Sequence, residues 1–199
     1  MMHILWGLII SVYFGLPVGT IIDRVVAVVD KQVITQSELM CEARILLVLR
    51  EGENAANIIF DQKMLNAFTD YLVNQALITA QVSRLGILEI NSIEIKQEVN
   101  HFMLRFHSKD AYNDFMEKYD ITTETLQNIL ARNLRNQRFI TERMRLRIVS
   151  GEKLNQDSEQ YQAELRRWLN ELKEAVDVRL LGPSNLLEVV PKENSIDKK

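Results

Sequence analysis

Apolar positions in residues 21–35, IIDRVVAVVDKQVIT, fall in β-branched runs on either side of a polar pair, Asp30 and Lys31. Val25, Val26, Val28 and Val29 before the pair, and Val33 and Ile34 after it, predict a short hairpin with a tight turn. A lone hairpin is marginal in water, so it needs a third strand or a helix to lean on. The apolar spacing then lengthens to three and four residues. Thr35 opens T-Q-S-E, a capping box with Glu38 at its third position, and predicts a helix to about Arg50 that Gly52 closes. Met64, Phe68, Leu72, Leu77 and Val82 mark a second helix over 61–85, ending at Gly86. Asn91 with Glu94 caps a third, whose apolar face runs through Ile95, Val99, Phe102, Met103 and Phe106.

A short helix over 109–119 carries Tyr112, Phe115, Met116 and Tyr119. Thr122 or Thr123 then starts the longest segment, to about Leu146, with Leu126, Ile129, Leu130, Leu134 and Ile140 on its apolar side. At a rise of 1.5 Å per residue this helix is roughly 37 Å long, a spine for others to pack on. Residues 150–156, SGEKLNQ, form a polar break, after which Asp157 or Ser158 caps a last helix over 157–175 striped by Tyr161, Leu165, Trp168, Leu169 and Leu172. VDVRLL at 176–181 predicts a strand that Gly182 and Pro183 stop, leaving 182–199 as a mobile tail. A strand this late is a natural third partner for the hairpin. The fold class is therefore mainly α: about six helices with a small antiparallel sheet built from the two ends of one domain, residues 21–181.

The first twenty residues differ in kind. Residues 4–18, ILWGLIISVYFGLPV, are uncharged and apolar, followed by Gly19 and Thr20, and read as a signal peptide over 1–20 that exports the chain. The alternative is an uncleaved membrane anchor, against which stand the shortness of the run and its break at Pro17. Composition agrees with the helical reading, because the only prolines are Pro17, Pro183 and Pro191. At 47% hydrophobic and 26% charged, the chain is too apolar for a disordered protein and too charged for a membrane bundle. A net charge of −3 supplies no general attraction to nucleic acid, which is not expected as a partner. The single cysteine, Cys41, cannot form an internal disulfide and reads as a small buried residue on a helix.

Chemistry-bearing patterns are few. Glu94, Glu98 and His101 place a Glu-x-x-His on one helical face, but a di-iron carboxylate site needs a second such pair and none exists, so no metal is expected. Arg132, Arg135, Arg138, Arg143, Arg145 and Arg147 make a basic stretch that reads as a solvated face or as intramolecular ion pairs. No P-loop, Gly-x-Ser-x-Gly or Cys-x-x-Cys is present, and no cofactor is implied.

Three segments resemble a known family. DRVVAVVDKQVITQSEL at 23–39 is similar to the amino-terminal hairpin and first helix of SurA-type periplasmic chaperones, LVNQALITAQVSRLGI at 72–87 to their second helix, and RRWLNELKEAVDVRL at 166–180 to the closing helix and strand. Full-length relatives insert one or two parvulin prolyl-isomerase domains before the final helix, each of about a hundred residues on the usual domain scale. This chain has only the break at 150–156 there. The resemblance therefore implies the chaperone module without isomerase chemistry: a periplasmic, ATP-independent holdase for unfolded outer-membrane and envelope proteins. Such a protein needs adaptable apolar surface, which methionine and aromatic side chains supply. Residues 99–119 offer Phe102, Met103, Phe106, Tyr112, Phe115, Met116 and Tyr119 as candidate client contacts, although the same stripe at helical spacing also suits a core. The alternative is a non-catalytic adaptor of the envelope that binds one folded partner.

Overall fold

Valine-rich runs pair as their pattern predicts. In a computed structural model of the chain, which describes residues 23–86, 89–147 and 155–181, β1 (Val25–Val29) and β2 (Gln32–Thr35) form an antiparallel hairpin with Val28 opposite Val33. Asp30 turns the chain at φ 54°, a left-handed conformation that its short polar side chain tolerates. The register shifts between Val25 and Ala27, and this bulge accompanies the burial of the consecutive Val26 and Ala27. β3 (Val178–Leu180) lies antiparallel along the other side of β1, giving the order β2-β1-β3. The Asp30 amide donates to the Asp177 carbonyl at 2.8 Å, and the Leu181 amide to the Val26 carbonyl at 3.0 Å, so the two ends of the domain meet as expected. Residues 1–20, read above as a signal peptide, the Gly151 part of the polar break and the residues 182–199 lie outside the described residues.

Among the described residues, six α-helices connect these strands. α1 (Gln36–Glu51) carries the Thr35–Glu38 capping box, and α2 (Gln62–Leu85) is capped by Asp61 and ends at Gly86 with φ 60°. α3 (Ser92–Met103) carries the Asn91–Glu94 box, α4 (Lys109–Lys118) is capped by Ser108 and α6 (Glu159–Glu174) by Ser158. α5 (Thr123–Arg147) starts where the Thr122 hydroxyl accepts from the Thr125 amide at 3.0 Å. Two details depart from the sequence pattern. A 3-10 turn, Glu53–Asn57, follows Gly52, and α3 stops at Met103 instead of continuing through Phe106. The chain bends there because the amides of Arg105 and Phe106 close tight turns onto the carbonyls of Phe102 and Met103, and the His107 amide donates to Glu53 at 2.9 Å. Phe106 reaches the interior from the bend, its ring 5.5 Å from that of Phe102.

The apolar faces close two cores. The first lies under the sheet and holds Ala27, Val29, Ile34, Leu39, Leu72 and Leu77 with Phe139 of α5 and Trp168 of α6. The second joins Ile45 and Val48 of α1 to Phe102, Phe115, Leu126 and Leu130. α5 serves both, its first half in the second core and its second half in the first. Where it crosses between them the side chains turn polar. Asn136, fully buried, donates to Gln75 Oε1 at 2.8 Å and to Thr79 Oγ1 at 3.0 Å, while Arg132 holds the buried Glu42 through two guanidinium nitrogens. Such groups tolerate burial because each is paired. Arg147 fastens α6 to α5 by ion pairs to Glu164 at 2.8 Å and Glu171 at 2.6 Å.

Candidate client-binding surface

α3 and α4 meet at an elbow that brings the predicted aromatic and methionine residues together. Phe102, Phe106 and Phe115 stack against one another with ring centroids 5.2–5.8 Å apart. All three are buried, so they form the base of the elbow and not its outer surface. Tyr112 packs edge-on to Phe102 and Phe106, and Tyr119 to Phe115 at 5.1 Å. Met103, Tyr112, Met116 and Tyr119 are half-buried and complete the rim. Sequence spacing predicted the cluster but not this division, since period alone does not say which side of an aromatic stripe meets a neighbour. One neighbour was missed: Leu104 is 80% exposed where α3 ends. The break in the α3 pattern between Met103 and Phe106 is the signal that marks Leu104 as outward.

Polar contacts lock the elbow onto the turn after α1. The Tyr119 hydroxyl donates to the Ala56 carbonyl at 2.7 Å, Lys118 reaches Asn57 at 2.7 Å, and the His107 ring lies 2.8 Å from Glu53. The His107 backbone amide, and then its ring, hold the Glu53 carboxyl below the ordinary range. Burial raises the Tyr112 hydroxyl above its ordinary value. Beneath the contacts lies a cavity of about 270 Å³ lined in part by Phe106, Ala111 and Phe115.

The other sequence candidates have structural partners. Glu94 binds Arg138 at 2.5 Å, Glu98 lies 3.7 Å from His101, and no group of three metal-ligating side chains is found among the described residues. Four of the six arginines in the basic stretch of α5 form ion pairs: Arg132 with Glu42, Arg138 with Glu94, Arg145 with Glu142, and Arg147 with α6. Cys41 is half-buried, and burial followed by Glu42 and Glu38 pushes its thiol up to about 11, far from a reactive thiolate.

Hairpin, capped helical core and closing strand define a small mainly helical domain of a recognisable class. The chain belongs to the SurA-like N-terminal domain family, which matches residues 1–140. No parvulin domain is detected in it. The family is chaperone-related and implies protein binding in general. The end of α5, α6 and β3 fall beyond the matched residues, yet they complete the sheet and the first core. No curated protein matches the chain. Among the described residues, no helix is long and apolar enough to cross a membrane.

Proposed function

We propose that this chain is a periplasmic, ATP-independent holdase that binds unfolded outer-membrane and envelope proteins, without prolyl-isomerase chemistry. The observation that carries this reading is the α3–α4 elbow, in which half-buried Tyr112, Met116 and Tyr119 pack on a phenylalanine base while half-buried Met103 and the exposed Leu104 stand at the end of α3. The base holds the rim in place, while the methionines and the unpartnered leucine adapt to varied apolar segments. Family membership supports the same reading. Phe102, Phe106 and Phe115 serve it as positioning residues for the rim.

The test is aggregation of several unfolded β-barrel clients in the presence of the full chain at near-stoichiometric amounts and without nucleotide. Suppression is the expected result, weakened by about fivefold in apparent affinity when Leu104→Asp and Met103→Gln are combined, roughly the 1 kcal/mol that lost apolar contacts represent. A chain that captures one folded partner and leaves unfolded clients to aggregate would be an adaptor, and the proposal would fall.

A further inference from the structure

β3 stands at one edge of the sheet. In the order β2-β1-β3 its far side meets no other strand among the described residues. Hydrogen bonding fixes which groups face that way. The Leu181 amide donates to the Val26 carbonyl and the Asp30 amide to the Asp177 carbonyl, so Asp177, Arg179 and Leu181 turn their backbone groups toward β1. Antiparallel alternation then turns the N–H and C=O of Val178 and Leu180 outward, a template for a further strand. Side chains on this edge are uncovered as well. Val178 and Leu180 pair with Val29 and Ala27, which are buried under the sheet, and cross-strand partners share a face. Leu180 therefore lies on the core side, yet it is 58% exposed, and Leu181 on the outer side is 51% exposed.

The sequence that follows matches this edge. Gly182, Pro183, Ser184 and Asn185 are turn formers, with proline second as a type I turn prefers. Leu186, Leu187, Glu188, Val189 and Val190 then make an apolar run with one charge, which Pro191 ends. A four-residue turn at 182–185 sets Leu181 opposite Leu186, Leu180 opposite Leu187, Arg179 opposite Glu188 and Val178 opposite Val189. Each pair in that register is complementary. Leu187 and Val189 meet the apolar side chains on the core side, and their backbones meet the outward groups of Leu180 and Val178. Glu188 meets Arg179 on the outer side, where Arg179 Nε lies 3.2 Å from Asp177 and the terminal nitrogens can take a second carboxylate. A slip of one residue either way would carry Glu188 to the core side, opposite Leu180 or Val178. A second copy of the chain is a poorer occupant, because two β3 strands meeting about a two-fold axis set Arg179 against Arg179.

We propose that residues 186–190 of this chain dock as a fourth strand on the free edge of β3, antiparallel to it, with an Arg179–Glu188 ion pair on the outer face of the sheet. The short turn makes the pairing intramolecular and gives it an effective concentration that a strand from another molecule lacks. An edge closed in this way does not recruit strands from other chains. The inference stands apart from the holdase reading, which depends on the elbow.

The test is amide hydrogen exchange in the full chain, resolved by residue with NMR. Val178 and Leu180 should exchange at least about tenfold more slowly than open edge amides, and the double variant Leu187→Pro with Val189→Pro should return them to the open rate. Arg179 and Leu181, which face β1, should stay protected in both chains and show that the sheet is intact. A second measurement reads the register. In a Cys41→Ser background, Arg179→Cys with Glu188→Cys should form an intramolecular disulfide on mild oxidation, since directly opposed residues of a non-hydrogen-bonded pair come within disulfide reach. Arg179→Cys with Val189→Cys should not. Open-rate exchange at Val178 and Leu180 in the wild-type chain overturns the proposal. So does protection that survives the proline variant, because another segment would then cover the edge, and so does protection that arises only when an unfolded client is added. A 179–188 disulfide found only between two chains also overturns it, as strands would then be exchanged between copies.

Discussion

Glu42 and Arg132 show how burial sets the weight of a charge. The Glu42 side chain is 10% exposed and that of Arg132 22%, whereas Glu142 and Arg145 form a similar pair at 52% and 69%. Glu42→Ala leaves a guanidinium unpaired in the protein interior and should destabilise the fold by about 3 kcal/mol. Glu142→Ala should cost at most about 0.5 kcal/mol, since solvent screens the exposed pair. Urea midpoints of the two variants, at unchanged slope, make the comparison. Other carboxylates confer a pH dependence. Hydrogen bonding to Arg138 lowers Glu94, hydrogen bonding to Arg147 lowers Glu171, and the His107 amide lowers Glu53. A carboxyl depressed in the folded state contributes stability above its unfolded value, about 4.3, and that contribution is lost as pH falls through the folded value. Stability should therefore be level from neutral to about pH 5 and decline below it, with a shallower decline in Glu94→Gln. Denaturation midpoints from pH 7 to pH 3 would show a parallel decline if the Glu94 contact contributed nothing.

At the level of elements, caps and turns carry the agreement between pattern and structure. Thr35, Asp61, Asn91, Ser108 and Ser158 each accept from the first turn of a helix, as side-chain oxygens at those positions should. Gly52 is the stricter case. Its φ of 85° and ψ of −176° lie in a region essentially reserved for glycine, although nothing stands within 4 Å of an added Cβ. Gly52→Ala should thus cost about 1–3 kcal/mol through backbone strain alone, read as a fall in melting temperature without loss of helical signal. The 3-10 turn after it was not legible in the sequence, because five residues provide too little periodicity to separate a tight helix from a loop. Phe106 illustrates a related ambiguity. Its spacing fits the α3 stripe, but contacts from the chain fifty residues away, at Glu53, bend the backbone before it and bring the ring inward by another route.

For the molecule as a whole, α6 and β3 close what the family-matched residues begin. Trp168 is 3% exposed in the first core, against Phe139, and β3 covers one side of β1. Trp168→Ala should cost about 3–5 kcal/mol, and a chain ending after residue 147 should lose cooperative unfolding and bind a hydrophobic dye. Addition of a peptide spanning residues 155–181 should restore the cooperative transition. The hairpin, the capped helix starts at Thr35, Asn91, Thr122 and Ser158 and the late strand were all readable from the residues, since β-branched runs, capping side chains and three-to-four spacing act locally. The elbow's aromatic and methionine residues were readable in the same way, but Leu104 was not. What period and propensity leave open is which neighbour each apolar face meets. Three-dimensional packing assigned Phe102, Phe106 and Phe115 to an interior base, left Leu104 outside and divided one apolar spine between two cores. Those outcomes depend on contacts between residues far apart in the chain, whose free energies no single segment contains.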